Sequence, residues 1–290
     1  MMSQSIFSHT TGKYQVSAIS DGTMQASLSL LTDIHHDDAV DLQRQAGIAQ
    51  PGDIHVFCYL IRGQGRVILV DTGMGKRDAQ SGKLLPHLQL AGVTPDDIDT
   101  LLLTHAHPDH IGGLLDSAGQ PVFRHARLCL SHSEAAFWQD DAAISQLSER
   151  AQLNAALVRR TLQAYGPRLQ LMADEEISPG IRALALPGHT PGHCGFRIDS
   201  DGERLLIWGD IVHYPPVQLA CPQVSIAFDI DPVMARETRQ RILQQVAAEN
   251  TVIAGMHFGA SGFARIVALA NGGYTASYVS ACHDGEAGEP

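Results

Sequence analysis

The stretch from residue 104 to residue 113, THAHPDHIGG, constrains the fold of this chain more than any other. Three histidines and one aspartate lie within six positions: His105, His107, Asp109 and His110. A single histidine is usually a surface residue or a hydrogen-bonded core residue, but a cluster this dense would repel itself once protonated. Imidazole and carboxylate groups together are typical ligands of zinc and its first-row neighbours. The stretch is therefore interpreted as a metal-binding loop.

The flanking residues predict that this loop lies at the end of a buried strand. Residues 100–103 form an apolar run of strand length. Gly112 and Gly113 follow the loop, and Leu114 and Leu115 begin a predicted helix. Loops held by such a scaffold are where binding groups concentrate.

Three later segments repeat the arrangement of an apolar strand, a small residue and one side chain of the ligand type. They are residues 183–186 followed by His189, residues 205–208 followed by Asp210, and residues 251–254 followed by His257. The HxHxDH loop, the PGHTPGH segment, the GD after a strand and the late GMH occur in the order found in the metallo-β-lactamase superfamily of metal-dependent hydrolases. The chain resembles that superfamily from about Tyr14 to the strand near Tyr278.

The resemblance implies an α+β fold, the four-layer αβ/βα sandwich of that superfamily. We expect residues 1–290 to form one domain, with an ordered core over residues 14–280 and a frayed tail over residues 281–290, which are polar and glycine-rich. Within the core, residues 14–20 alternate as a strand that Asp21-Gly22 is predicted to turn. A hairpin is predicted at residues 63–65.

The resemblance also implies a centre of two metal ions, with a ligand at every position that matches the superfamily's pattern. His105, His107 and His189 would hold one ion, Asp109, His110 and His257 the other, and Asp210 would bridge them. The relatives' aspartate that orients the histidine loop matches Asp71. The ligand types favour zinc, with manganese, iron and cobalt as alternatives. The loop has no cysteine where the true β-lactamases use one, and has His107 where the flavo-diiron relatives use glutamate, so a binuclear hydrolase is expected.

Such a centre is expected to hydrolyse its substrate with a metal-bridging hydroxide. Asp210 and Asp109 are then catalytic candidates, the latter as a proton shuttle. His213 is a third, because acyl-homoserine lactonases of this superfamily place a tyrosine near that position. A proton donor and a pocket wall are equally weighted interpretations of His213.

The segment from Gly209 to Asp231 resembles the methyl-parathion-hydrolase branch, which includes lactonases and aryl esterases. A hydrophobic lactone, aryl ester or organophosphate triester is therefore the expected substrate, because such pockets are mostly apolar. An acyl-homoserine lactonase and a glyoxalase-II-like thioester hydrolase are the alternatives, and a metal-binding scaffold without catalysis is the alternative outside enzymes. The predicted substrate-binding residues are Phe137, Trp138, Tyr214, Leu219, Ile226, Phe228 and Phe258.

Composition narrows the range of partners. The formal net charge of −11 argues against nucleic acid, because phosphate binding depends on Lys and Arg. The sequence contains no run of 18 apolar residues, so no membrane span is predicted. Residues 1–7 lack the basic and apolar regions of a signal peptide, so none is predicted. The cysteines, five in number and without CxxC spacing, are expected to be free thiols. We therefore expect a cytoplasmic protein, with the periplasm as the alternative if a signal has been removed. The resemblance implies a homodimer.

Overall fold

The computed structural model describes residues 6–76, 79–173, 176–259 and 261–279. The strands are β1 (Ile6–Thr11), β2 (Tyr14–Gln25), β3 (Leu31–Thr32), β4 (Asp53–Gly63), β5 (Arg66–Val70), β6 (Thr100–Leu102), β7 (Arg127–Ser131), β8 (Leu169–Met172), β9 (Glu176–Ser178), β10 (Ile181–Ala185), β11 (Cys194–Ser200), β12 (Glu203–Ile207), β13 (Ser225–Ile226), β14 (Val252–Ala254), β15 (Phe263–Ala268) and β16 (Tyr274–Tyr278). The helices are α1 (His36–Gln45), α2 (Leu84–Leu90), α3 (Pro108–Ile111), α4 (His132–Gln139), α5 (Asp141–Ile144), α6 (Glu149–Tyr165), α7 (Pro215–Ala220) and α8 (Pro232–Glu249).

The longer strands of the described ranges form two sheets of seven strands each. The first has the order β1-β2-β4-β5-β6-β7-β8, and the second has the order β16-β15-β14-β12-β11-β10-β9. Parallel pairing joins β5 to β6, β6 to β7, β7 to β8 and β12 to β14, and the other neighbours are antiparallel. Strands β3 and β13 pair apart from both sheets.

The sheets face each other and helices cover their outer sides. Alternation along β4 shows how: Tyr59 and Ile61 are buried between the sheets, whereas Cys58 and Leu60 are buried beneath the helices of the first sheet. Helices α2 and α4 contact the first sheet, and α8 contacts the second. The predicted αβ/βα sandwich is therefore confirmed.

Two local predictions were wrong. Asp21 does not turn the chain, because β2 continues through it to Gln25 with a bulge in its pairing to β4. The Asp21 carboxylate is buried and accepts backbone N–H groups from Met74, Gly82 and Leu84. A polar residue before glycine has the same sequence signature in a turn and in a bulge. In this fold the Asp21 carboxylate is satisfied by N–H groups that lie more than 50 positions away in the sequence.

The helix predicted to begin at Leu114 and Leu115 is absent as well, because Leu115 forms an isolated bridge with Pro121.

Other predictions agree with the structure or lie outside it. The hairpin at residues 63–65 joins β4 to β5 as predicted. Strand β1 precedes the predicted ordered core, and the predicted frayed tail 281–290 lies outside the described residues. The described helices include none with the length and apolarity needed to span a membrane. The cysteines in the described part, Cys58, Cys129, Cys194 and Cys221, are all free thiols.

Candidate metal centre

The predicted ligands meet at one edge of the two sheets. His105 and His107 follow β6, and the short helix α3 carries Asp109 and His110. Strands β10, β12 and β14 run in the same direction and end before His189, Asp210 and His257. Because the carboxyl ends of strands with a common direction share one edge, side chains far apart in sequence converge there.

Close packing explains the two glycines after the histidine loop. A Cβ atom built on Gly113 would lie 2.2 Å from the carbonyl oxygen of Thr72, and one on Gly112 would lie 2.2 Å from that of Met74. The Thr72 N–H and hydroxyl both donate to the carbonyl oxygen of His110, at 2.8 and 2.9 Å. The loop is therefore clamped against the segment that follows β5.

His105, His107 and His189, here called the first trio, bring three ring nitrogens together. His107 Nδ1 lies 3.1 Å from His105 Nε2 and 2.9 Å from His189 Nε2. Asp109, His110 and His257, the second trio, are slightly farther apart: Asp109 Oδ2 lies 3.4 Å from His110 Nε2 and 3.7 Å from His257 Nε2.

Asp210 lies between the trios and presents one oxygen to each. Its Oδ2 lies 3.7 Å from His105 Nε2 and 3.3 Å from His189 Nε2. Its Oδ1 lies 3.2 Å from both His110 Nε2 and His257 Nε2. This is the geometry that the sequence prediction of a bridging carboxylate requires.

Unpartnered buried atoms show that the centre fits metal ions. His110 Nε2, His257 Nε2 and Asp210 Oδ1 have no hydrogen-bond partner among the described residues, although all three are buried. Buried polar atoms are almost always hydrogen-bonded unless an ion or a water completes them. The donor set of imidazole nitrogen and carboxylate oxygen suits zinc and related divalent ions. The arrangement fits a two-metal site.

The far sides of the histidine rings are held by acceptors. Asp71 Oδ2 accepts from His110 Nδ1 at 2.7 Å, and the same carboxylate accepts the N–H and the hydroxyl of Thr104. The carbonyl oxygen of His55 accepts from His257 Nδ1 at 2.7 Å. Such partners fix the ring tautomer and orientation of metal-binding histidines, and the sequence prediction for Asp71 assigned it this place.

Asp229 orients the His189 ring as Asp71 orients the His110 ring, by accepting from Nδ1. The sequence analysis did not predict this role. Asp229 Oδ1 lies 2.8 Å from His189 Nδ1, so the ring presents Nε2 to the first trio. Arg239, itself buried, lies 3.7 Å from the other carboxylate oxygen. Asp229 belongs to an irregular segment between β13 and α8, and no local pattern there distinguishes it from a solvent-exposed aspartate.

Glu134 was also missed. Its carboxylate is fully buried and accepts four hydrogen bonds, two on each oxygen. Oε1 accepts from the Ala106 N–H at 2.9 Å and Trp138 Nε1 at 2.7 Å. Oε2 accepts from the Thr190 hydroxyl at 2.6 Å and the Gly192 N–H at 3.1 Å. Glu134 therefore ties the loop of His105 and His107 to the loop of His189.

His193, the second histidine of PGHTPGH, supports the ligand loops from beneath. Its Nδ1 donates to the carbonyl oxygen of Leu186 at 2.7 Å, and its Nε2 accepts the Asp210 N–H at 2.9 Å. Burial and the nearby His189 lower the pKa of His193 to about 3. A neutral ring is what an acceptor Nε2 requires, so this histidine fixes the backbone of Asp210.

The pKa values of the histidines in the centre shift in opposite directions. Burial, with the neighbouring histidines, lowers the pKa of His105 and His107 well below the usual histidine value. Burial acts in the same sense on His110 and His257, but the nearby carboxylates outweigh it and raise both pKa values. His189 resembles the second trio, because hydrogen bonds that its ring donates to two aspartates overcome burial and raise its pKa to about 9.

His213 lies beside the centre and is itself a group of the ligand type. Its Nε2 is 3.1 Å from Asp210 Oδ2, and its ring stacks on that of His257 with 5.2 Å between centroids. The backbone N–H groups of His213 and Tyr214 both donate to Gln218 Oε1, which fixes the turn. Burial lowers the pKa of His213.

Two cavities open from His213. The α1 cavity, of about 560 Å³, is lined by residues of α1, α7 and β16 and reaches His257. The α6 cavity, of about 340 Å³, is lined by the start of α6 and the segment before α8 and reaches Asp109 and Asp210. The centre therefore lies where two separate spaces meet.

The predicted substrate-binding residues divide among these cavities and the core. Tyr214 and Leu219 line the α1 cavity, and Trp138 and Phe228 line the α6 cavity. Ile226 and Phe258 lie in the core instead, Ile226 in β13 beside β3 and Phe258 on Trp208. Phe137 is partly buried and packs on the Trp138 ring. An apolar residue near a ligand loop reads alike in sequence whether it faces a cavity or the core.

Comparisons with curated proteins agree with this geometry. The chain is 24% identical over 226 residues to an N-acyl homoserine lactonase of Bacillus thuringiensis, covering 69% of this chain and 80% of that one. It is 29% identical over 160 residues to the uncharacterized protein YobT of Bacillus subtilis (strain 168), a match covering 55% of this chain and 63% of YobT.

Solved structures are similar over nearly the whole chain. The hydrolase AbOPH in the beta lactamase superfamily superimposes with a TM-score of 0.90 at 27% identity, covering 98% of this chain and all of that one. AidC, a dizinc quorum-quenching lactonase solved with a product, superimposes with a TM-score of 0.89 at 26% identity, covering 96% of this chain and 98% of AidC. The family model described as Metallo-beta-lactamase superfamily matches residues 51–257. On this match, and with this fold, the chain belongs to the metallo-beta-lactamase superfamily of metal-dependent hydrolases.

Proposed function

We propose that the protein is a binuclear hydrolase of uncharged, hydrophobic esters: lactones first, with aryl esters and organophosphate triesters as further substrates. The observation that carries the proposal is the position of Asp210. Its two oxygens face separate trios, and the centre they form lies where the α1 and α6 cavities meet. An ester bound there has one space for its acyl side and another for its leaving group.

The metal ligands are proposed to be the first trio for one ion, the second trio for the other, and Asp210 for both. Two divalent ions bound there, zinc by ligand type, would lower the pKa of a water molecule and polarise the oxygen of the electrophile. The chain's part is to hold the ligand rings at fixed tautomers through Asp71, Asp229 and the His55 carbonyl.

His213 is proposed to contact the reacting group. Its Nε2 lies against Asp210 Oδ2 at 3.1 Å, at the point where both cavities begin. From this place it either donates a hydrogen bond to the substrate oxygen or the departing alkoxide, or shapes the pocket without donating. The two roles predict different responses of kcat/KM to the pKa of the leaving group.

Asp109 is proposed to move the proton that hydrolysis transfers from the attacking water to the leaving group. Its side chain is 15% exposed, whereas those of His110 and Asp210 are at most 2% exposed. Asp109 also lines the α6 cavity, so its carboxylate has access both to the centre and to the substrate space.

The proposal is tested by metal analysis and a substrate panel on one preparation. Protein purified without chelator and reloaded with zinc, manganese or cobalt is expected to hold two ions per chain. The same protein is assayed with a γ-lactone, a phenyl ester, a phosphotriester and a thioester of matched size. One ion or none after reloading contradicts the binuclear centre, and turnover confined to the thioester contradicts the substrate class.

We also propose that the protein is a homodimer, as expected from the resemblance to its branch. Light scattering across a concentration series is expected to give twice the chain mass of 31.2 kDa. A mass equal to one chain at every concentration contradicts it.

A further inference from the structure

A buried arginine on α8 lies behind the metal centre and has no part in the proposed chemistry. Arg239 is only 1% exposed, so its guanidinium group depends on acceptors within the protein. That group stays charged and carries five N–H donors, and a charge at this depth is costly unless it is paired and hydrogen-bonded. Among the described residues, its partners all lie in residues 208–231 between β12 and α8, here called the linking segment.

The guanidinium group ties distant parts of the linking segment together. Nε donates to the carbonyl oxygen of Ile211 at 2.7 Å. Nη1 donates to the carbonyl oxygens of Pro222 and Val224, at 3.2 and 2.6 Å. Nη2 lies 3.7 Å from Asp229 Oδ2. One side chain therefore fixes the beginning, the middle and the end of this segment.

The linking segment carries groups that complete the first trio. Asp210 directly precedes Ile211, and Asp229 Oδ1 lies 2.8 Å from His189 Nδ1. The Asp229 side chain is 0% exposed, so the guanidinium group is the cation that faces its second oxygen. Guanidinium, carboxylate and imidazole thus follow one another in a line that ends at a ligand ring.

The second trio is held from another direction. Its rings are oriented by the Asp71 carboxylate after β5 and by the His55 carbonyl in β4, both in the first sheet. Arg239 contacts neither group, since its described partners lie in the linking segment. A change at Arg239 is therefore expected to reach one trio before the other.

We propose that Arg239 is a positioning residue for the first trio, holding His189 in place through Asp229. This inference rests on the two-metal centre of the proposed function. Loss of the guanidinium group leaves the Asp229 carboxylate without its buried partner and releases the linking segment at three carbonyls. The His189 ring then binds its ion less tightly, whereas the second trio keeps its ion.

The test is chelator competition with the cobalt-loaded protein, followed by visible spectroscopy. Arg239→Lys keeps the positive charge, but a single ammonium group cannot span acceptors as the planar guanidinium group does. The variant is expected to weaken the ion of the first trio by ~10-fold and to leave that of the second trio unchanged. Its one-ion form should have the spectrum of the one-ion form of Asp229→Asn. Equal weakening of both ions would overturn the proposal.

Val246→Ala is the matched control for the packing of α8. Val246 is buried on the same helix, two turns after Arg239 and toward the end of α8 that lies away from the linking segment. Its truncation is expected to lower the free energy of unfolding and to leave both cobalt affinities unchanged. Selective weakening of the first ion in this variant as well would show that loss of helix packing is the cause, and would contradict the role of Arg239.

A double variant keeps the proposal testable where Arg239→Lys does not fold. Arg239→Met combined with Asp229→Asn removes both buried charges, so neither is left without a partner. If Arg239 acts through Asp229, the double variant binds the first ion as tightly as Asp229→Asn alone. A further ~10-fold loss in the double variant would show that Arg239 acts by another route, and the proposal would be wrong.

Chelator competition keeps this inference separate from the proposed function, because it measures metal binding alone. Selective weakening of one ion in a protein that hydrolyses none of the esters contradicts the proposed substrates and supports the role of Arg239. Ester hydrolysis by the wild type, with both ions weakened alike in Arg239→Lys, supports the proposed function and overturns the role of Arg239.

Discussion

The two trios of the metal centre are built from similar side chains but are oriented by different parts of the molecule. The second trio is held by groups of the first sheet, the Asp71 carboxylate after β5 and the His55 carbonyl in β4. The first trio is held by groups outside the strands, Asp229 before α8 and Glu134 in α4. One link joins the two sets, since the Thr104 hydroxyl donates to Asp71 and also lies 3.1 Å from His105 Nδ1.

The trios also differ in what their charge states mean. Burial lowers the pKa values of His105 and His107, whereas carboxylates around His110 and His257 raise the pKa values of both. A trio with one carboxylate and two imidazoles and a trio of three imidazoles present different ligand sets to a cation. Substitutions can therefore be chosen that change metal binding at both trios, at neither trio or at only one.

Asp210→Ala is expected to have the largest effect because this side chain faces both trios. Metal stoichiometry should fall below two ions per chain after reloading, and turnover should nearly vanish. Elemental analysis and kcat/KM measure the two effects. Asp96→Ala, at an exposed aspartate far along the chain, is the matched control. An active Asp210 variant that holds two ions would show that the bridging assignment is wrong.

His213→Leu tests the group that lies outside both trios. A hydrogen-bond donor to the substrate is expected to contribute ~10²-fold to kcat/KM. The loss should increase along a series of phenyl esters as the leaving-group pKa rises, because a nitrophenolate departs without a proton. Metal content should remain at two ions per chain. A mutant-to-wild-type ratio that stays flat across the series contradicts the donor role and supports the pocket-wall role.

Asp71→Asn and Asp229→Asn form a matched pair that tests whether the trios are separable. Each replaces the acceptor of one ring N–H by an amide, and each is expected to weaken one ion by about 10–100-fold. Asparagine suits Asp71, whose φ of 58° lies in the left-handed region that asparagine tolerates.

The readout for this pair is chelator competition with the cobalt-loaded protein, followed by visible spectroscopy. Asp71→Asn should lose the ion of the second trio first, and Asp229→Asn that of the first trio. Identical spectra for the one-ion forms of the two variants would show that the trios are not independent.

Glu134→Gln is expected to have the smallest effect on the centre and a measurable effect on stability. Both carboxylate oxygens accept two N–H or O–H donors, so an amide nitrogen in either position opposes two of them. The free energy of unfolding should fall by about 2 kcal/mol. Chemical denaturation measures it, with Glu149→Gln at an exposed helix start as the control. Equal midpoints for the two variants would contradict the structural role of Glu134.

Residue type and local order were sufficient to locate the candidate ligands. The chain places His189, Asp210 and His257 each just after an apolar strand, and strands with a common direction must deliver such residues to one edge. The hairpin at residues 63–65 is equally local, since two glycines flank a reversal that the adjoining strands enforce. These features depend on short stretches of chain, which a sequence displays directly.

Only the tertiary structure decided which polar residues orient the ligands and which apolar residues face the substrate. Asp229 lies 40 positions from His189, and Glu134 lies 56 positions from Thr190, so no local pattern connects them. Phe228 on a cavity wall and Phe258 in the core are both apolar, and periodicity reports burial without saying what lies on the buried side. Hydrogen bonds and cavities depend on side chains brought together from separate elements, and their geometry exists only once the sheets and helices have packed.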